Sequence, residues 1–211
     1  MKAKILYQII TMLKSTEDEL RLEVFDNKVF IKVICDVEYI IQIIDDNFEF
    51  DDGTYTIMYS NILRILQNST NDMTIQMTGT QYGLAINLNS KSRNIFFDCP
   101  CIFSTDSNNY DIDEESMFTL NLVEFKQSCK SMCNSSDKYK LRLYDNGLAI
   151  STMDATLSQI IQIGEMEGEF VDKVITNAVL QRLLRIPNGE LSIGLYGLTI
   201  VSENSVIFIH F

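Results

Sequence analysis

The residues that most readily do chemistry are scarce in this chain. Its only histidine is His210, so a histidine-based nucleophile system or general base has almost nothing to work with. No Gly-x-x-x-x-Gly-Lys phosphate loop and no Gly-x-Gly-x-x-Gly turn occurs among the 9 glycines, which are scattered at turns. Cys99-Pro100-Cys101 and Cys129-x3-Cys133 together hold four thiols, the number a structural zinc takes. The second pair lies one helical turn apart and partly on an apolar face, which is the place of core cysteines. Asp111-Ile112-Asp113-Glu114-Glu115 is acidic enough to attract a divalent cation, but it lacks the glycine and the ligand spacing of a calcium loop. It reads as a solvated linker, and the Asp45-Asp46 and Asp51-Asp52 pairs read as turns at strand ends. The expectation is a protein that is not an enzyme and holds no cofactor or metal.

What remains is charge. The chain is acidic overall, at −12, which taken alone argues against nucleic acid, because neutralising phosphates needs Lys and Arg. Distribution reverses that reading, and it depends on which elements hold the charges.

Four segments have helical periodicity. Residues 3–15 place Ile5, Leu6, Ile9, Ile10 and Leu13 on one face, and residues 58–68 place Ile62, Leu63, Ile65 and Leu66. Residues 122–134 do so with Leu122, Phe125, Cys129 and Met132, and residues 175–185 with Val179, Leu180, Leu183 and Leu184, before the stop signal Pro187. Most of the rest alternates as strands, for example residues 20–24, 29–33, 73–77 and 191–195. Asp26-Asn27 and Asp145-Asn146-Gly147 read as hairpin turns. Strands with one wet face pair antiparallel.

The order of elements repeats. Each half runs helix, about four strands, helix, about three strands. Leu22-Glu23-Val24-Phe25-Asp26-Asn27 matches Leu141-Arg142-Leu143-Tyr144-Asp145-Asn146, and Ile40-Ile41-Gln42-Ile43 matches Ile160-Ile161-Gln162-Ile163. The stretch Ile62 to Phe97 parallels Val179 to Phe208. Three matches in one order indicate an internal repeat. The fold class expected is α+β, with two repeated domains over residues 1–98 and 117–211 and a polar, acidic connecting loop at 99–116.

The helical segments hold seven basic residues, Lys4, Lys14, Arg64, Lys126, Lys130, Arg182 and Arg185, against one acid, Glu124. That acid falls in a first helical turn, where it complements the helix dipole. The remaining 28 of the 29 acids stand elsewhere with ten of the 17 bases. An ordinary solvated helix face mixes signs. A surface of basic helices in an acidic protein is the footprint of a phosphate backbone, contacted without reading sequence.

At 211 residues and 46% apolar composition the chain suits two domains with real cores, not disorder. No apolar stretch approaches membrane-spanning length, and the odd count of 5 cysteines describes no disulfide framework. A soluble protein of a reducing cytoplasm is the simpler reading. In the connecting loop Ile102, Phe103, Tyr110 and Ile112 are apolar. They either anchor the loop onto a sheet or border a partner pocket.

With its repeat and its basic helices over acidic sheets, the chain resembles the DNA sliding clamps. The likeness is carried in the second half by Phe118-Thr119-Leu120-Asn121-Leu122, the Phe125 to Cys133 helix, Lys140-Leu141-Arg142-Leu143 and Gly147-Leu148-Ala149-Ile150. It looks closest to the T-even-type bacteriophage clamp, with Arg93-Asn94-Ile95-Phe96-Phe97-Asp98-Cys99-Pro100 resembling the end of that clamp's first domain. The resemblance implies a homotrimeric ring whose helices line a pore around duplex DNA. It implies as partners a DNA polymerase docked by a C-terminal peptide near the connecting loop, an ATP-dependent clamp loader and, in a phage, late-transcription factors. By the same analogy Val37 and the C-terminal strand, Phe208 to Phe211, join the pocket. Two competing readings are a clamp-fold protein that is no homotrimer, such as a monomeric viral processivity factor or checkpoint-type subunit, and a β-rich viral structural protein without a DNA role.

Overall fold

The first apolar face winds into α1 (Ala3–Met12), which buries Leu6, Ile9 and Ile10. Next come β1 (Glu19–Phe25) and β2 (Lys28–Ile34). Asp26-Asn27 joins them with φ of 50° and 61°, the left-handed pair that a two-residue hairpin turn requires. The chain continues through β3 (Glu38–Ile43), β4 (Phe48–Phe50), β5 (Gly53–Met58), α2 (Tyr59–Gln67), β6 (Thr74–Thr80), β7 (Gly83–Asn89), β8 (Asn94–Cys99) and β9 (Cys101–Ser104). The second half runs β10 (Ser116–Asn121), α3 (Leu122–Cys129), β11 (Lys138–Tyr144), β12 (Asn146–Thr152), β13 (Ile160–Glu165), β14 (Val171–Thr176), α4 (Asn177–Leu183), β15 (Glu190–Gly194), β16 (Gly197–Ser202) and β17 (Ser205–His210). This computed structural model describes residues 1–12, 18–34, 37–110, 116–153, 158–186 and 188–210.

Two units form. One comprises Met1–Asp111 with Glu203–Ile207, the other Ile112–Ser202 with Phe208–Phe211. In the first, five strands run in the order β3-β2-β1-β5-β9, and a further sheet runs β4-β6-β7-β8. Apolar side chains of both sheets and both helices, among them Leu6, Leu22, Ile31, Ile62 and Met77, converge on one interior. The Tyr59 hydroxyl, at the start of α2, donates to the Ile10 carbonyl near the end of α1 and ties the helices together.

The second unit repeats this plan with sheets β13-β12-β11-β14 and β10-β15-β16, and the end of β17 from Phe208 also belongs to it. Its helices have the caps that residue type dictates. The Asn121 side chain accepts from the Val123 amide at 2.8 Å, and the Thr176 hydroxyl accepts from the Val179 amide at 3.3 Å. Asn177 then links the helices. Its Oδ1 accepts from the Asn134 amide at 3.2 Å and its Nδ2 donates to Asn134 Oδ1 at 3.0 Å. Asn134 stands at φ 70°, a conformation that asparagine tolerates better than most residues. It closes the turn after α3, so α3 ends at Cys129 and not at residue 134 as periodicity suggested.

The repeats differ in ways the pattern did not show. β4 and β9 flank the strands of the first unit only, and β10 precedes α3 only in the second. The stretch 99–116, expected to be a loop, contains the last residue of β8, all of β9 and the first residue of β10. Cys101–Ser104 becomes strand because it pairs with β5, Phe103 opposite Tyr55 and Ile102 opposite Thr56. Gly53 makes room for this pairing, since a Cβ there would meet the Phe103 ring.

Candidate nucleic-acid interface

The helices present their basic residues away from the cores, but not uniformly. Lys4 on α1, Arg64 in the last turn of α2, Lys130 at the C-cap of α3 and Arg185 just past α4 are exposed. Arg182 on α4 is half-buried, and Lys14 lies outside the described residues. Glu124, the one helix acid, is exposed in the first turn of α3.

Lys126 behaves differently from Lys130, one turn away. It is half-buried, and its ammonium donates to the Ile186 carbonyl just beyond α4. Carbonyls at a helix end lack intrahelical partners and attract cations, so Lys126 serves the α3–α4 junction. Burial lowers its pKa. Arg64 has a local effect as well. The Cys99 thiol is pushed up by burial first and by Cys101 next, and Arg64 partly opposes this.

Sequence reasoning passed over a second basic row. Lys138, Lys140 and Arg142 alternate on one face of β11, a period-two signal that could have found them. Asp172 on β14 neutralises part of it, with Arg142 Nε donating at 2.9 Å and Lys140 Nζ at 3.3 Å. The Arg142 guanidinium holds the Asp172 carboxyl below its usual range.

Of the five residues expected to share a partner pocket, the four that are described do not all meet in one place. Val37 lies between β2 and β3, whereas Ile102 and Phe103 lie on β9, with β2, β1 and β5 between in the strand order. Ile102 is 71% exposed at the sheet edge. Phe103 turns inward, its ring 5.0 Å from that of Tyr55. Tyr110 anchors the loop after β9. Its ring meets Phe30 edge-on at 5.4 Å, Lys32 stands 5.3 Å from its centroid, and its hydroxyl donates to Glu23 at 2.9 Å. Glu23, only 6% exposed, also accepts from the Asn108 amide at 3.2 Å and from Asn108 Nδ2 at 2.7 Å. For Tyr110 and Phe103 the anchoring role holds; Ile112 lies outside the described residues. Nothing in the sequence marked Glu23 as the anchor, since it alternates with apolar residues like any wet-face acid.

The cysteine pairs fall in different units. Cys99 and Cys129 are buried, Cys101 and Cys133 half-buried, and burial pushes the Cys129 thiol up to about 12. Among the described residues no group of three or more His, Cys, Asp or Glu is placed to hold a metal ion. The acidic run Asp111 to Glu115 lies outside them. Asp45 accepts from the Asn47 amide at 2.9 Å in the turn before β4, and Asp51-Asp52 forms the turn before β5. His210 lies edge-on to Phe208, ring centroids 6.1 Å apart. No helix among the described residues is long and apolar enough to cross a membrane.

No family model matches the sequence, and no curated protein matches it. Solved structures do. Over 99% of its length the chain is similar to proliferating cellular nuclear antigen from Entamoeba histolytica, covering 95% of that chain, with a TM-score of 0.72 and 15% identity. It is likewise similar over 99% of its length to the PCNA2–PCNA3 complex from Sulfolobus tokodaii, covering 96% of the matched chain, with a TM-score of 0.74 and 13% identity. The chain has the sliding-clamp fold. At these identities the likeness is one of fold, and the clamp architecture expected from the repeat is the one observed.

Proposed function

We propose that this chain is a DNA sliding clamp: a non-enzymatic processivity factor that closes as a homotrimeric ring around duplex DNA and tethers a replicative polymerase. The observation that carries the reading is the sign of the helix surfaces. In a clamp-fold chain of net charge −12, the exposed charges on the described helices or within two residues of their ends are Lys2, Lys4, Arg64, Lys130 and Arg185, with Glu124 the one acid. Such contacts hold a phosphate backbone without reading bases. A closed ring needs no tighter grip, because it cannot leave the duplex sideways.

Edge strands supply the closure. β9 and β13 end their sheets, with Ile102 71% and Ile160 64% exposed. Pairing β9 of one chain with β13 of the next is a head-to-tail contact, which generates a ring where the rotation closes, and it covers two edges open to misassociation. The polymerase, an ATP-dependent clamp loader and, for a clamp of T-even phage type, late-transcription factors are the partners in this reading, and the host cytoplasm is the location. The likeness of Arg93 to Pro100 to the phage clamp supports that lineage.

The test is particle mass in solution at micromolar concentration, where a ring gives about three times the 24.2 kDa chain mass. A monomer throughout that range would overturn the homotrimer. The triple variant Lys130→Glu, Arg182→Glu, Arg185→Glu should retain the trimer and lose polymerase stimulation. Undiminished stimulation would remove the helices from the DNA path.

A further inference from the structure

The two repeats fill one place differently. In the first unit Phe50 reaches from β4 between the sheets, its ring 5.2 Å from that of Tyr55 on β5. Gly79 leaves the space, since a Cβ there would run into the Phe50 ring. The segment before β5 thus plugs its own unit. In the second unit the corresponding segment, residues 166–170 before β14, forms no strand. Phe170 turns instead onto the Arg142 guanidinium, 4.1 Å from the ring centroid, and toward the Tyr144 ring at 5.7 Å. β10 takes the edge beside β15. An open cleft of about 600 Å³ remains between the end of β11, the starts of β14 and β10, and the β15–β16 turn.

Its apolar surface comes from Met117, Phe170, Leu195 and Tyr196, which are 37%, 49%, 43% and 62% exposed. Met117 sits at an irregularity in strand pairing, between Ser116 opposite Gly194 and Phe118 opposite Ile193. Such bulges re-aim side chains and gather beside binding sites. Asp145 and Glu169 stand exposed in the lining. β10 and β14 are each the last strand of their sheets among the described residues, so backbone donors and acceptors are open beside the cleft.

We propose that this cleft binds a short extended segment of a partner protein, carrying a bulky apolar side chain next to a lysine or arginine. The first unit shows the chemistry that completes such a site, an aromatic ring delivered by a three-residue strand. Open strand edges accept an added strand by backbone pairing, and the two carboxylates select the cation.

The probe is a fluorescein-labelled peptide, Lys-Thr-Phe-Val-Thr-Lys, titrated against the full chain by anisotropy, with Glu-Thr-Phe-Val-Thr-Glu and Lys-Thr-Ala-Ala-Thr-Lys beside it. The basic aromatic peptide should saturate below about 1 mM, and both others should bind at least about tenfold more weakly. The double variant Asp145→Lys, Glu169→Lys should lose about tenfold or more in affinity. Leu195→Ser, at an exposed turn, gives a second reading that leaves the charges alone and should weaken binding severalfold. Amide shifts on titration should centre on Met117, Phe170 and Tyr196. Absence of saturable binding, equal affinity for the acidic peptide, or shifts centred elsewhere would each overturn the assignment. So would a particle mass that falls in the double variant, because the cleft would then hold a second copy.

Discussion

Removing the Glu23 carboxylate should free the loop after β9 while leaving the sheets folded. Three donors converge on that carboxylate: the Asn108 amide, Asn108 Nδ2 and the Tyr110 hydroxyl. Hydrogen bonds to a charged group contribute about 1.5–3 kcal/mol each when buried. Asn108 is exposed and Tyr110 half-buried, so their donors regain water on release and the loss is well below the sum. Glu23→Leu should cost the loop about 2 kcal/mol, which speeds exchange of the Asn108 amide proton roughly 30-fold. Glu23→Gln keeps the shape and one acceptor oxygen, and its new NH2 can donate to the Tyr110 hydroxyl. It should cost about 1 kcal/mol. Native-state hydrogen exchange reads both effects. In a double-mutant cycle, Tyr110→Phe should couple to Glu23→Leu by about 1 kcal/mol. Unchanged Asn108 exchange in Glu23→Leu, or no coupling, would refute the anchoring role. The result matters for function because Tyr110 holds the end of the described loop after β9 against the sheet.

Other perturbations separate charge from structure. Lys130→Gln should flatten the log–log salt dependence of association with a labelled duplex by about 0.9 for each phosphate that Lys130 neutralises. Lys126→Gln, whose amide still reaches the Ile186 carbonyl, should change that slope less, and equal effects would show that the Lys126 ammonium is free to meet DNA. Burial pushes Tyr55 and Tyr59 up to about 12. Their protonated forms are favoured in the folded chain, so they contribute stability that is full below pH 10 and is lost as pH rises from 10 through about 12. Two pKa units correspond to roughly 3 kcal/mol for each ring, and alkaline titration followed by circular dichroism should show cooperative unfolding in that window. Burial also raises Tyr110 and Cys129, so Tyr59→Phe should remove about a quarter of this pH dependence, and an unchanged curve would count against the burial argument.

Most of the fold was legible because it rests on local periodicity. Leu22 to Asn27 and Leu141 to Asn146 share a pattern because β1 and β11 occupy the same place in their sheets, each between a β2-type and a β5-type neighbour. The elements that escaped notice are those whose reason is not local. Phe48-Glu49-Phe50 is too short to show a period and becomes strand by running parallel to β6. Cys101–Ser104 becomes strand only because β5 has a free side and Gly53 leaves room for Phe103.

The candidate site divides along the same line. Charge sign can be counted without coordinates, so the basic helices were readable. Which lysine is free to act cannot be counted. Lys126 and Lys130 are equivalent by helical spacing, and only the end of α4, about 60 residues on in sequence, gives one of them a carbonyl to serve. A pocket is harder still. Val37 and Phe103 are both apolar groups near polar ones, yet strand order sends them to different sides of one sheet, and a buried acid on β1 collects Tyr110. The internal repeat offers a way around this limit. Where two copies of one plan differ, the difference itself is informative: Phe50 fills a space in the first unit, and its absence from the second marks a cleft that no single residue type would have announced.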